Sequence, residues 1–294
     1  MIKRYFILSL LCCVSSLFSQ VEIDKLKLPI LVLSEYDSML PNHKKEMQPS
    51  FVDFLGINVQ DTLNLNYGKD FGSSEDISIV SDSLSVFVDS ENSTFRKHFW
   101  PITPPPPPPL ENTEFKKLKK KNPLAYEKLM KQKRDSIHAK WEKQFKIESR
   151  QHQLAYPIYI FNHSNDKTLI QTSIGGIGKD LYVILEAKDI NVNWQPIEYV
   201  EQYRFVCGTG HSDYVLNPKS FLIAAIKKYS GEYKTQLRVK FSNFKNTYYS
   251  NIFDGYMNYS QFSKQEVLET LHMRFSDRGQ EHLEERTKMS FLDY

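Results

Sequence analysis

Cysteine is nearly missing from this chain. Of its three cysteines, Cys12 and Cys13 lie in the opening apolar run, and only Cys207 stands beyond it. A lone thiol closes no internal disulfide and supplies one of the four ligands that a structural zinc site needs. Charge of one sign is missing too. The 38 basic and 35 acidic side chains leave a net charge of +3, which removes the electrostatic ground for reading a nucleic-acid binder. After residue 18 no apolar run approaches the roughly 20 residues of a spanning helix, so the mature chain is expected to carry no transmembrane helix. Catalytic signatures are also lacking. There is no Gly-x-Ser-x-Gly elbow and no His-Glu-x-x-His, and the eight histidines are scattered without ligand spacing.

What is present is enough for a core. Hydrophobic residues make up 40% and aromatics 13%, with 17 Tyr and 19 Phe, so a wholly disordered chain is excluded. A length of 294 residues suggests about two domains.

The first 19 residues read as a secretory signal peptide. Lys3 and Arg4 precede an apolar run over 5–18, and the small Ser19 precedes a polar stretch. Leu11 before Cys12 departs from the small residue that lipid attachment requires. The expected location is therefore exported: periplasmic, outer-envelope or extracellular. Three sequons, at Asn92, Asn162 and Asn258, matter only in a eukaryotic secretory pathway.

Beyond the signal, charge divides the chain. Residues 20–110 carry 7 basic and 13 acidic side chains, residues 111–152 carry 13 and 6, and residues 153–294 carry 16 of each. The acidic region 20–100 has strand-like runs at 28–33, 51–59, 76–80 and 84–88, which suit either a small β unit or chain that orders on a partner. Segment 101–110 contains six consecutive prolines at 104–109. As polyproline II they make a stiff spacer of about 19 Å.

Segment 111–152 is expected to be a long basic helix. Asn122 is a good N-cap and Pro123 a good first helical residue. Tyr126, Met130, Ile137, Trp141 and Phe145 form one apolar face over about 40 Å. Lys128, Lys131, Arg134 and Lys140 decorate the others: either the apolar face packs on the neighbouring domain and these cations are simply solvated, or they are contacts to an anionic surface or an acidic protein.

From residue 153 the texture is that of an antiparallel sandwich: short strand-like runs, frequent turns and strict alternation over Leu237-Arg238-Val239-Lys240-Phe241. The stretch Glu186-Ala187-Lys188-Asp189 to Asn193-Trp194-Gln195-Pro196-Ile197-Glu198 resembles a pattern of uncharacterised secreted bacterial proteins with an Ig-like β-sandwich. The resemblance covers 154–262, about a third of the chain, and lacks the cysteine pair of true immunoglobulin domains. It implies fold and export, not an activity. The fold class expected is thus mainly β: an Ig-like antiparallel sandwich over 153–262, preceded by the basic helix and followed over 263–294 by a short helix and a fraying tail. Ser263 to Glu266 reads as the capping box of that helix.

Candidate chemistry is sparse. Asp189, Asn191 and Asn193 alternate oxygen side chains as a calcium loop does, but Trp194 stands where an EF-hand has glycine. The plainer reading is a hairpin turn. Cys207 and His211 pair a thiol with an imidazole, and the alternative is a loop after a strand. Gly175-Gly176-Ile177-Gly178-Lys179-Asp180 lacks the Ser/Thr of a phosphate loop and reads as a turn between strands. Glu186, Glu198 and Glu201 are the only carboxylates that suggest a glycosidase pair, and no spacing singles them out. Tyrosines are the better clue to binding, because they give contact area with a polar tip, and the plainer reading is that most of them line the edge of the core. Tyr199, Tyr203, Tyr214, Tyr248 and Tyr249 are the candidates, within a group that also holds Tyr229, Tyr233, Tyr256 and Tyr259.

These observations suit an exported, non-catalytic binding or assembly module of the cell envelope, its partner an envelope protein, a glycan or an anionic surface. No cofactor is expected, with calcium at residues 189–193 the one exception to test. The alternatives are an enzyme acting on an envelope or extracellular polysaccharide, and a structural spacer.

Overall fold

The computed structural model describes residues 26–32, 39–40, 42–50, 52–64, 83–97, 113–148, 152–175, 178–201 and 213–293. The signal segment 1–19, the prolines 104–109, the run 76–80, Tyr203 and the Cys207–His211 pair lie outside these residues. The chain forms two compact units. One gathers residues 1–35, 41–96 and 154–294, the other residues 36–40 and 97–153.

The larger unit is built on two antiparallel sheets. The first takes β1 (Asp53–Val59), β2 (Leu84–Val88), β3 (His152–Asn162) and later β7 (Phe221–Lys227), in the order β2, β3, β7, β1, and the short strands Met39–Leu40 and Thr94–Lys97 also pair with β3, the former in parallel. The second takes β4 (Val183–Lys188), β5 (Trp194–Pro196), β8 (Tyr233–Asn243), β9 (Asn246–Tyr249) and β10 (Phe253–Met257). Its order is β5, β4, β8, β9, with β10 also on β8. A two-residue strand β6 (Glu198–Tyr199) leaves this sheet and pairs in parallel with Gln48–Pro49. One buried cluster joins the sheets, with Val86, Ile158 and Leu222 from the first and Leu185, Val239 and Phe241 from the second.

Two expectations change here. Residues 20–100 and 153–262 read as separate segments in sequence, yet β1 and β2 are strands of the first sheet, hydrogen-bonded to β7 and β3. Long-range pairing leaves no local mark, because a strand's pattern records its faces and not its neighbour. The sequence pattern over 247–253 reads as one strand-like run, and the structure divides it between two strands, β9 and β10. The Ser250 amide donates to the Val239 carbonyl and the chain bends before β10 begins.

The C-terminal region is helical, as expected, but its tail does not fray. Two helices follow, α3 (Gln265–Phe275) and α4 (Gln280–Phe291). Ser263 does not cap α3. Lys264 holds the N-cap position without a side-chain bond, and the capping box lies earlier, between Asn258 and Gln261. α4 ends with Leu292 in the left-handed conformation at φ 54°. The Leu292 amide donates to the Met289 carbonyl and the Asp293 amide to that of Lys288, the bond pair of a Schellman ending. Leu292 is buried against Tyr182, Ile184 and Val200.

The second unit contains a broken basic helix, α1 (Thr113–Lys121) and α2 (Pro123–Glu148). The break falls where the sequence places it. Asn122 Oδ1 accepts the Ala125 amide at 3.1 Å, so Asn122 caps α2 and Pro123 opens it. Among the described residues no helix is long and apolar enough to cross a membrane.

Candidate functional site

The outer face of the second sheet concentrates the unusual side chains. Alternation along β8 sends Leu237, Val239 and Phe241 into the shared core and turns Arg238 and Lys240 the other way. Glu186 is the register partner of Arg238. Arg238 Nε and Nη2 each lie 2.7 Å from Glu186 Oε2. The guanidinium carbon sits 4.4 Å from the Trp194 ring centroid and 4.0 Å from that of Tyr249. Lys188 adds a second cation 5.2 Å from Trp194. The result is a Trp194–Arg238–Tyr249 ladder whose cation is held by a carboxylate.

Lys240 is the departure from strict alternation. It faces outward but is buried, because the end of α4 covers it. Its Nζ donates to Asp293 Oδ1 at 2.6 Å and to the Phe291 carbonyl at 3.2 Å, and stands 3.9 Å from Glu186 Oε1.

Glu198 forms a second buried knot. It is 2% exposed. Its Oε1 accepts the Tyr229 hydroxyl at 2.8 Å and lies 3.8 Å from Lys227 Nζ, while Oε2 accepts the Leu185 amide at 3.1 Å. Lys227 also donates to the Pro49 carbonyl. Residues of both sheets therefore meet on one carboxylate. The expectation of an available carboxylate pair fits poorly with this geometry. Glu186 and Glu198 are each buried and committed to a cation, whereas an acid or base must reach substrate. Glu201 is half-buried.

The tyrosines do not gather on one face. Tyr214 is buried and stacks on Phe54, with centroids 4.5 Å apart. Tyr248 stacks on Phe241 at 5.8 Å. Tyr199 is half-buried against the cluster of Met47, Val267 and Leu271. Of the described candidates only Tyr249 is exposed. Tyr248 and Tyr249 are adjacent on β9, so period-two alternation sends one inward and one outward. Trp194 was not among the candidates, although its place directly after a turn on an edge strand marks it as outward. Among the described residues Tyr256 and Tyr259 are the other exposed tyrosines.

At residues 189–193 the structure forms a hairpin. Asp189 Oδ1 accepts the Asn191 and Asn193 amides, both at 2.9 Å. The Val192 amide donates to the Asp189 carbonyl, and the Asp189 amide to that of Asn193. The Asp189 oxygen proposed for calcium is thus engaged by its own turn. Among the described residues no three His, Cys, Asp or Glu converge as metal ligands. At Gly175 and Gly178 the chain closes a second hairpin between Thr172–Gly175 and Gly178–Leu181.

In the helical unit Lys128, Lys131, Arg134 and Lys140 are all exposed. Tyr126 is buried, and Met130, Ile137 and Trp141 are half-buried, so these members of the apolar stripe are more sheltered than the four cations. Lys119 lies over the Tyr126 ring at 5.1 Å and Lys133 over Phe115 at 4.1 Å, which ties α1 to α2.

No protein-family model, no curated protein and no solved structure matches the chain.

Proposed function

We propose that this is an exported, non-catalytic binding or assembly module of the cell envelope. Its rigid platform is an Ig-like β-sandwich formed by the two sheets, and its primary contact is the basic helix pair. The observation that carries the reading is the helical unit's charge. The span 113–148 holds 12 basic and 5 acidic side chains, and Lys128, Lys131, Arg134 and Lys140 all project to solvent. Such a cation array on a capped helix suits an anionic partner, here the lipid or polymer surface of an envelope. The signal-like first 19 residues support export. The commitment of Glu186 and Glu198 to buried ion pairs supports a binding role over hydrolysis.

The test is charge reversal on the intact protein. Lys128→Glu, Lys131→Glu, Arg134→Glu and Lys140→Glu together should reduce retention on native envelope fractions by about tenfold or more, since each cation near an anionic surface contributes about 1 kcal/mol. Because all four side chains are exposed, the unfolding midpoint should stay within error of the parent. Undiminished retention by the folded variant would remove the helix from the binding reaction.

A further inference from the structure

On the reading of the helical unit as the primary contact, we propose that this unit docks on an anionic lipid bilayer through the outer face of α1, where Lys116, Lys117, Lys120 and Lys121 form one array.

The array follows from how the two helices fold. Phe115 and Lys133 are 18 positions apart in sequence, and one straight helix would part them by about 27 Å. Lys133 Nζ nevertheless lies 4.1 Å from the centroid of the Phe115 ring. α1 therefore turns back at Asn122 and packs on α2. Two backbone bonds hold the turn. The Asn122 amide donates to the Leu118 carbonyl at 2.7 Å, and the Tyr126 amide donates to that of Asn122 at 3.1 Å.

This packing sorts the side chains of α1. At about 100° per residue, Phe115, Leu118 and Lys119 share the side that meets α2. Phe115 and Leu118 are half-buried, and Lys119 lies over Tyr126. Lys116, Lys117, Lys120 and Lys121 fall on the opposite side, within an arc of about 140°. All four are exposed. No acidic residue stands between Phe115 and Tyr126, so no neighbour in sequence offsets their charge.

Charge and shape together select the occupant. Lys116 and Lys120 form one column along the helix, and Lys117 and Lys121 form a second. A plane of anions meets both columns at once, whereas a single polyanion strand follows one. All four cations are lysines. They act as point charges and lack the planar fork with which arginine grips one carboxylate or phosphate. Such an array suits mobile headgroups better than one fixed ligand, and a cluster of this kind on a helix is the usual mark of attraction to anionic lipid. α2 lacks this geometry. Lys128, Lys131, Arg134 and Lys140 spread over about 240° of its circumference, so no plane meets all four. Beside the turn, Leu124 is 80% exposed. A hydrated polymer offers that side chain no apolar partner, while the acyl boundary below the headgroups does.

The test is flotation of the full protein, at low salt, with vesicles of phosphatidylcholine and phosphatidylglycerol in equal parts. The parent protein should float with these and not with phosphatidylcholine alone. Each cation near an anionic membrane contributes about fivefold to partitioning, so Lys116→Gln, Lys117→Gln, Lys120→Gln and Lys121→Gln together should reduce flotation by about a hundredfold or more. Glutamine keeps the helix propensity of lysine, and the unfolding midpoint should match that of the parent. Lys→Arg at the same four positions should preserve flotation. The matched set Lys128→Gln, Lys131→Gln, Arg134→Gln and Lys140→Gln should lose less than the α1 set. Leu124→Ser should lower flotation several-fold and leave retention on heparin resin, a polymeric polyanion, unchanged. A parent that does not float, or an α1 glutamine variant that floats as well as the parent, would overturn the proposal. A larger loss from the α2 set would overturn the assignment to α1. Parental flotation by Leu124→Ser would overturn lipid as the partner, because charge alone does not separate a vesicle from a polymer. A parent retained on envelope fractions but not floated would overturn the lipid partner alone. A parent that is neither retained nor floated would remove the helical unit as a contact altogether.

Discussion

Leu292 adopts the left-handed conformation that usually falls to glycine, a choice that costs about 1–2 kcal/mol. Its side chain explains the exception, because it fills the space against Tyr182, Ile184 and Val200 and a buried leucine contributes about 1.5–3 kcal/mol. The same logic of local cost and larger return governs Glu198. Its desolvated carboxylate is tolerated because Lys227, the Tyr229 hydroxyl and the Leu185 amide all converge on it. Glu198→Ala would leave Lys227 buried without its counter-ion and should destabilise the protein by about 3–5 kcal/mol in urea unfolding. Pairing it with Lys227→Met should recover much of that loss, and equal loss in both variants would argue against the ion pair. Tyr159 makes a pH prediction. Burial, with the nearby Asp89 carboxylate, holds its hydroxyl above the ordinary value of 10.0, and burial raises that of Tyr156 as well. The folded state thus favours the protonated phenol. Its contribution is intact below pH 10.0 and is lost as pH rises beyond it. The urea midpoint should fall through that alkaline range, and less steeply in Tyr159→Phe.

Among elements, hairpins and ladders fix where side chains go, and two glycines show how tightly. A Cβ at Gly231 would lie 2.2 Å from the Met257 carbonyl carbon and 2.5 Å from the Asn258 nitrogen, both backbone atoms. A Cβ at Gly255 would meet Leu237 Cδ1 at 2.3 Å, the end of a side chain that can turn aside. Gly231→Ala should therefore destabilise more than Gly255→Ala, the latter by about 1–3 kcal/mol, and thermal unfolding of the two variants checks the order. Much at this scale was legible. Asn122 and Pro123 mark the start of α2, and alternation over Leu237–Phe241 identifies the inward face of β8. The capping box was misplaced because Ser263 and Glu266 have the right spacing, while the backbone at Asn258 and Gln261 had turned earlier. Which tyrosines face solvent was not legible for a related reason. Composition shows that they are many, but only register shows that Tyr248 and Tyr249 face opposite ways.

At the scale of the whole molecule, sequence order misleads about neighbours. β1 and β2 read as parts of an acidic N-terminal region, yet they complete a sheet with β3 and β7, about 75 to 170 positions further along the chain. The mainly β character, the antiparallel sheets and the C-terminal helix were legible, because alternation and turns are local. The buried ion pairs were not, because Glu186, Glu198, Lys227 and Lys240 carry no mark of burial until distant chain covers them. The charge segregation of the basic segment was fully legible and carries the functional account. Retention of the purified protein on native envelope fractions across a salt series tests that account most directly. Retention that falls steeply with salt, and a shallower fall in the Lys128, Lys131, Arg134 and Lys140 charge-reversal variant, is the predicted result. A parent protein that fails to bind at low salt, or whose binding ignores both salt and the four substitutions, would contradict it.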